Sequence, residues 1–230
     1  MLEKILARLP DEPRAVYLSP SELLGRLSEK SIFYVPVGSI EWHNEHLPLG
    51  TDTFHAQELS MALCAATGGV VLPPFWWNTD GCHRSQYTYY APQDDFRQAL
   101  RHVIRGFAEF PVKLLVLVNG HGGDNQMRSV ADLADEINNA GDFPIRLASV
   151  DLCVLQAKNI DHADTGETSL SMRLIPQLVR MKRGITPDIL WNEMPFANGE
   201  PTFERGEMML KGFLEDAVNI VNGEYQRVND

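Results

Sequence analysis

The sequence predicts an α/β fold built on a largely parallel sheet with helices on both faces. Three observations predict it. Short runs rich in β-branched and aromatic residues alternate with segments of helical apolar spacing. A hydrophobic fraction of 44% over 230 residues is enough to fill a sizeable interior. No repeat, linker or low-complexity stretch interrupts the pattern, so residues 1–230 are expected to form one domain.

Taken in order, Ser31 to Val37 (SIFYVPV) reads as the first buried strand despite Pro36 near its end. Val70 to Leu72 is a short apolar run stopped by Pro73 and Pro74. In Asp94 to Phe110, the apolar residues Phe96, Leu100, Val103, Ile104 and Phe107 recur at helical spacing, with Asp94 or Asp95 available as N-cap. Lys113 to Val118 (KLLVLV) is the clearest strand and runs into a glycine-rich turn. Asn125 to Ala140 carries a second helical stripe of Val130, Leu133, Ala134 and Ile137. Ile145 to Val150 gives a fourth strand, and Gly206 to Val221 a closing helix. Strand, helix, strand in this order implies parallel pairing through crossovers.

Charge and cysteine content exclude several functions. Twenty Lys and Arg face 31 Asp and Glu, a formal charge of −11. Such a surface cannot neutralise phosphates, which argues against nucleic acid and against an anionic membrane as partners. Cys64, Cys82 and Cys153 form no CxxC pair, so neither a disulfide framework nor a thiolate zinc site is indicated. The first twenty residues mix both charge signs with apolar ones, unlike a signal peptide, and no run approaches ~18 apolar residues, so a cytoplasmic protein is expected.

In parallel α/β sheets, ligands bind beyond the carboxyl ends of the strands. Four of the seven histidines fall in the three loops that follow strands one, three and four: His43 and His46, His121, and His162. Glu41 and His43 are two apart, so an extended segment would turn both to one side. Asp52 ends the same loop and offers two oxygens that can bridge two ions. Gly120, Gly122 and Gly123 allow a tight turn around His121. Carboxylates and imidazoles without thiolates suit Zn, Mn, Fe and similar ions. His46 reads as a structural hydrogen-bonding residue and Glu45 as solvated. His55 and His102 read as surface or satisfied core histidines. A phosphate-cradling loop at Asn119 to Asp124 is disfavoured, because both the GxGxxG spacing and the GK[ST] ending are missing.

The stretch GSIEWHNEHLPLGTDT resembles the signature of the creatininase (creatinine amidohydrolase) family, and NGHGG and HADTGETS resemble its two later motifs. Asn198-Gly199-Glu200-Pro201 with Glu204-Arg205-Gly206 is similar to its C-terminal element. The resemblance implies a three-layer α/β/α sandwich, a homo-oligomer with a hexamer favoured, and two divalent metal ions per chain, Zn or else Mn or Fe. By the same resemblance Glu41, Asp52 and His121 hold one ion. His43, the shared Asp52 and an acidic residue hold the other. In creatininase that acid lies two residues after the histidine of the third-strand loop. Here Gly123 stands there, so Glu167 of the ETS motif takes the role. His162 matches a proton shuttle to the leaving nitrogen. The implied activity is cleavage of a C–N bond in a small cyclic amide or formamide, with a metal-bound hydroxide as nucleophile. A formamidopyrimidine deformylase, a peptide-maturation peptidase and a non-catalytic metal-binding relative are the alternatives.

The chain departs from the family at Asp124, usually Asn, and at Asp164, usually Gly; each carboxylate could join the metals or face solvent. Phe75 to His83 occupies the place of a substrate-contacting loop without its common YG-x-S-x-x-H pattern. Trp77, Thr79, His83 and Gly122 are the substrate-contacting candidates. Trp76 and Trp77 would either stack on a flat heterocycle or bury themselves between subunits.

Overall fold

The computed structural model describes residues 12–79, 87–155, 160–181, 196 and 199–229. Four strands are present, close to the expected ones: β1 (Ile32–Val37), β2 (Val70–Val71), β3 (Leu114–Asn119) and β4 (Arg146–Asp151). They lie in the order β2-β1-β3-β4, and all three pairings are parallel. Ile32 faces Leu114, and Leu114 faces Arg146, so the strands run level.

The helices are α1 (Pro20–Glu29), α2 (Thr51–Thr67), α3 (Gln93–Arg105), α4 (Asp124–Ala140), α5 (Leu152–Leu155), α6 (Thr165–Leu174) and α7 (Phe203–Arg227). Side chains alternate across a strand, and here both faces are apolar. Phe33, Val35, Val37, Leu115, Leu117 and Leu147 pack with α1, α3 and α4. Ile32, Tyr34, Leu114, Val116, Val118, Ala148 and Val150 pack with α2, α6 and α7. This is a three-layer α/β/α arrangement. Fully burying one such Leu or Phe contributes about 1.5–3 kcal/mol, which explains why the strands read as unbroken apolar runs. Among the described residues, no helix is long and apolar enough to cross a membrane.

Several elements differ from expectation. Helix α3 begins at Gln93 behind Pro92, so Asp94 and Asp95 lie inside its first turn rather than at the cap. There the helix dipole favours them. Helix α7 extends beyond Gly206 and Val221 at both ends, starting after Thr202, whose hydroxyl accepts the Arg205 N–H at 3.1 Å. Helix α1 was not anticipated, although Ser19, Pro20 and Glu22 form a capping box with proline at the first turn.

The topology fixes where a ligand can bind. From β1 the chain crosses through α2 to β2 on one side, and β3 returns on the other side of β1. The order therefore reverses between β1 and β3, and a crevice opens at their carboxyl ends. Gly38 and Gly120, just past those ends, make room for the first turn of α2. A Cβ on Gly38 would lie 2.3 Å from Thr53 Cα, and one on Gly120 2.3 Å from the Asp52 carbonyl oxygen. Only glycine permits so close an approach, and it places Asp52 in the mouth of the crevice.

Candidate metal centre

Five of the expected residues converge at this crevice. Glu41 follows β1, where its N–H donates to Leu49 O at 2.8 Å and closes the 41–49 loop. His43 shares a hydrogen bond between Nδ1 and the Glu41 carbonyl at 3.0 Å, which turns Nε2 inward. His43 Nε2 lies 3.2 Å from Asp52 Oδ1 and 3.5 Å from Glu167 Oε1. His121 Nδ1 lies 2.7 Å from Asp52 Oδ2 and 3.2 Å from Glu41 Oε2. Asp52 therefore presents one oxygen to each of two sets, Glu41–Asp52–His121 and His43–Asp52–Glu167. In each set the potential ligand atoms all lie within 4.8 Å of one another.

The electrostatics of this cluster call for cations. None of the five residues is more than 4% exposed. Three carboxylates out of water need compensating charge. Burial pushes the Glu41 carboxyl up, but His121 outweighs it and, with His162, holds it at about 2. Asp52 is likewise raised by burial and lowered further by His43 and His121, to well below the usual carboxylate range. Burial lowers the His121 imidazole, yet Glu41 and Asp52 drive it up to about 10. Glu167 and Asp52 raise His43 in the same way. Three carboxylates thus face two imidazoles whose protonated forms they favour. The donor set, one imidazole and two carboxylates around each position, suits divalent ions, and Asp52 is shared as a bridging ligand would be.

His162 borders the cluster. Its Nε2 lies 2.7 Å from the Trp42 carbonyl, which can only accept, so Nε2 carries the proton. Its Nδ1 faces Glu41 Oε2 at 3.9 Å, and its ring lies 4.4 Å from that of His43. Burial and His43 lower its pKa, so the ring is neutral. The next residue, Ala163, has φ of 50°, a conformation that costs a non-glycine residue energy. Its N–H donates to Glu167 Oε2 at 2.6 Å, tying the His162 turn to the cluster.

The departures from the motif lie outside the cluster. Asp124 is 81% exposed at its side chain, beside Arg128, and faces solvent. Asp164 instead accepts the Phe196 N–H and the Thr165 hydroxyl, so its extra side chain fastens a turn. Of the substrate-contacting candidates, Trp77 is exposed and packs on Tyr89 with ring centroids 4.6 Å apart. The Tyr89 N–H donates to Ile40 O, which sets this pair beside the Glu41 loop. Thr79 is buried, with its hydroxyl 3.3 Å from Ala91 O. Gly122 is exposed near Cys153, and His83 lies outside the described residues. Trp76 packs edge-on against Phe54 rather than beside Trp77's partner. Glu45 and His102 are exposed, and His46 and His55 are buried and hydrogen-bonded.

The residues that fix the cluster's side chains in place lie outside the expected set. Ser39 donates its hydroxyl to Asp52 Oδ2. Asn119 donates to the His121 carbonyl at 2.7 Å and to Asp151, and accepts from Gln126 at 3.0 Å. A polar Asn closing an otherwise apolar strand was the available signal. Gly123 also has a steric reason: a Cβ there would lie 2.5 Å from His121 Nε2.

Comparison with known proteins gives the family and the fold. Residues 17–205 match the family model described as creatininase, creatinine amidohydrolase. The chain belongs to the creatininase family. A 3-dehydro-scyllo-inosose hydrolase of Thermotoga maritima is 30% identical over 117 residues, 49% of this chain and 38% of that relative. The matched stretch thus spans well under half of that relative's length. A mycofactocin precursor peptide peptidase of Mycolicibacterium smegmatis is 29% identical over 189 residues, 77% of this chain and 68% of its own. The crystal structure of a creatinine amidohydrolase superposes with a TM-score of 0.75 at 18% identity, covering 94% of this chain and 98% of that one, and so shares the fold. Other creatininase structures with this fold are described as a Zn-Zn type and as a Mn form.

Proposed function

We propose that this creatininase-family protein is a metal-dependent amidohydrolase, with Glu41, Asp52 and His121 holding one divalent ion and His43, Asp52 and Glu167 a second. The observation that carries the proposal is the Asp52 carboxylate, which points one oxygen at each of two sets that each combine one imidazole with two carboxylates. Ions bound there would polarise a carbonyl and activate water. Zn, Mn, Fe and Co all fit these donors.

The chain's own contribution is positioning and proton transfer. His162 keeps its proton on Nε2 against Trp42 O and presents Nδ1 to the cluster. It takes a proton from the attacking water at Nδ1 and delivers it to the departing nitrogen, as a neutral imidazole near pH 7 can. The exposed Trp77 ring, packed at a tilt on Tyr89 beside the Glu41 loop, offers an aromatic surface suited to a small cyclic amide. Trp77, Thr79, Gly122 and His83 remain the substrate-contacting residues of the proposal, and a soluble cytoplasmic homo-oligomer its setting. Light scattering checks the assembly.

The test is a screen of the metal-reconstituted protein against cyclic amides, formamides and short peptides. Hydrolysis of a cyclic amide or formamide supports the proposal. Cleavage of peptides alone moves the assignment to peptide maturation, the activity named for the mycobacterial relative. Metal-loaded protein that hydrolyses none of them is a non-catalytic relative.

A further inference from the structure

Helix α6 delivers Glu167, yet it lacks what usually holds a helix in place. Thr165, Glu167, Thr168, Ser169 and Ser171 are all buried, and this helix gives the apolar core only Leu170, with Leu174 half-buried against it. A helix of this composition gains little from apolar burial, so its docking depends on hydrogen bonds that satisfy the buried hydroxyls. On one side, Ser169 accepts the Thr202 N–H at 3.0 Å, and Gly206 of α7 packs so closely that a Cβ would meet Ser169 O at 2.0 Å. On the other side stand two histidines with no part in the metal cluster. His46 Nε2 lies 2.9 Å from Thr168 Oγ1, and His55 Nε2 lies 2.9 Å from Ser171 Oγ. All four of these side chains are 0% exposed. Thr168 and Ser171 are one turn apart on α6, while His46 and His55 belong to the loop and helix that also carry His43 and Asp52.

We infer that His46–Thr168 and His55–Ser171 form a two-point clamp that sets α6 in register and so holds the Glu167 carboxylate against His43. His46 and His55 are positioning residues. They do for Glu167 what a local loop does for His121, whose ligand neighbours all come from segments fixed at the ends of β1 and β3. Glu167 is the one member of the five that arrives on a separate helix; Gly123 has no side chain, and the Asp124 carboxylate beside it faces solvent. The clamp therefore acts on one metal position only, the one shared by His43, Asp52 and Glu167.

This inference rests on the dinuclear reading above, and the experiment separates the two. Zinc is titrated into metal-free wild type, Thr168→Val, Ser171→Ala, their double variant, and Thr168→Ser, with folding checked by circular dichroism. Wild type binds two ions. In the Val–Ala double variant, the affinity of one ion falls about 10- to 100-fold, the range typical for outer-shell partners of metal ligands. The other ion stays within about threefold. Thr168→Ser, which keeps the hydroxyl, keeps both ions. Equal weakening of both ions, or no weakening in a folded double variant, overturns the clamp and leaves the dinuclear centre standing. Wild type that binds no zinc overturns both.

Discussion

Metal binding to this protein should release protons in a stoichiometric way. In the metal-free cluster, burial disfavours the charged imidazoles, but Glu41, Asp52 and Glu167 override it and hold His121 at about 10 and His43 well above its usual value. Near neutral pH both rings therefore carry a proton that must leave before nitrogen can ligate an ion. Two ions displace two protons per chain. By linkage each ion's affinity rises about tenfold per pH unit, or about 1.4 kcal/mol, for as long as its imidazole is protonated in the metal-free protein. Isothermal titration calorimetry of the metal-free protein with zinc at pH 7.5, repeated in buffers of different ionisation enthalpy, reads the proton count directly. A value near two supports the reasoning. A value below one, with affinity flat in pH, would refute it, since neutral histidines would then already be waiting for metal.

Three other outcomes follow from the same structure. The metal-free protein should lose stability as pH rises from about 6.5 through about 10, because the folded state keeps the His121 proton that the unfolded chain has lost; thermal melts should show the metal-loaded protein flat over that range. His162→Ala should lower kcat about 10²- to 10⁴-fold with metal content unchanged, whereas loss of metal would make His162 a ligand. Leu117→Ala, in the fully buried centre of β3, should cost about 2–5 kcal/mol in urea unfolding without altering metal stoichiometry.

How legible the molecule is from its sequence depends on what each element buries. Strands β1, β3 and β4 bury apolar side chains on both faces, and α3 and α4 bury one stripe, so composition and period reveal them. Helices α2 and α6 escape the same reading. Asp52, His55 and Ser60 in α2, and Glu167, Thr168 and Ser171 in α6, turn polar groups inward, which erases the amphipathic period. These are the helices that serve the site, so the functional elements are hidden by their function. The five clustered residues Glu41, His43, Asp52, His121 and Glu167 were singled out by motif resemblance and by their places at strand ends. Asp124 and Asp164 could not be placed that way, because whether a carboxylate turns toward the crevice is decided by a single helix turn. The partners of His46 and His55 could not be assigned either, since Thr168 and Ser171 are more than a hundred residues away in sequence.

The central claim is a carboxylate-bridged pair of ions, and elemental analysis of purified wild type beside Asp52→Ala and Glu167→Ala tests it most directly. Close to two metals per chain in wild type is predicted, with both lost from Asp52→Ala and at least one from Glu167→Ala. Fewer than one metal per chain, unchanged by either substitution, would contradict it.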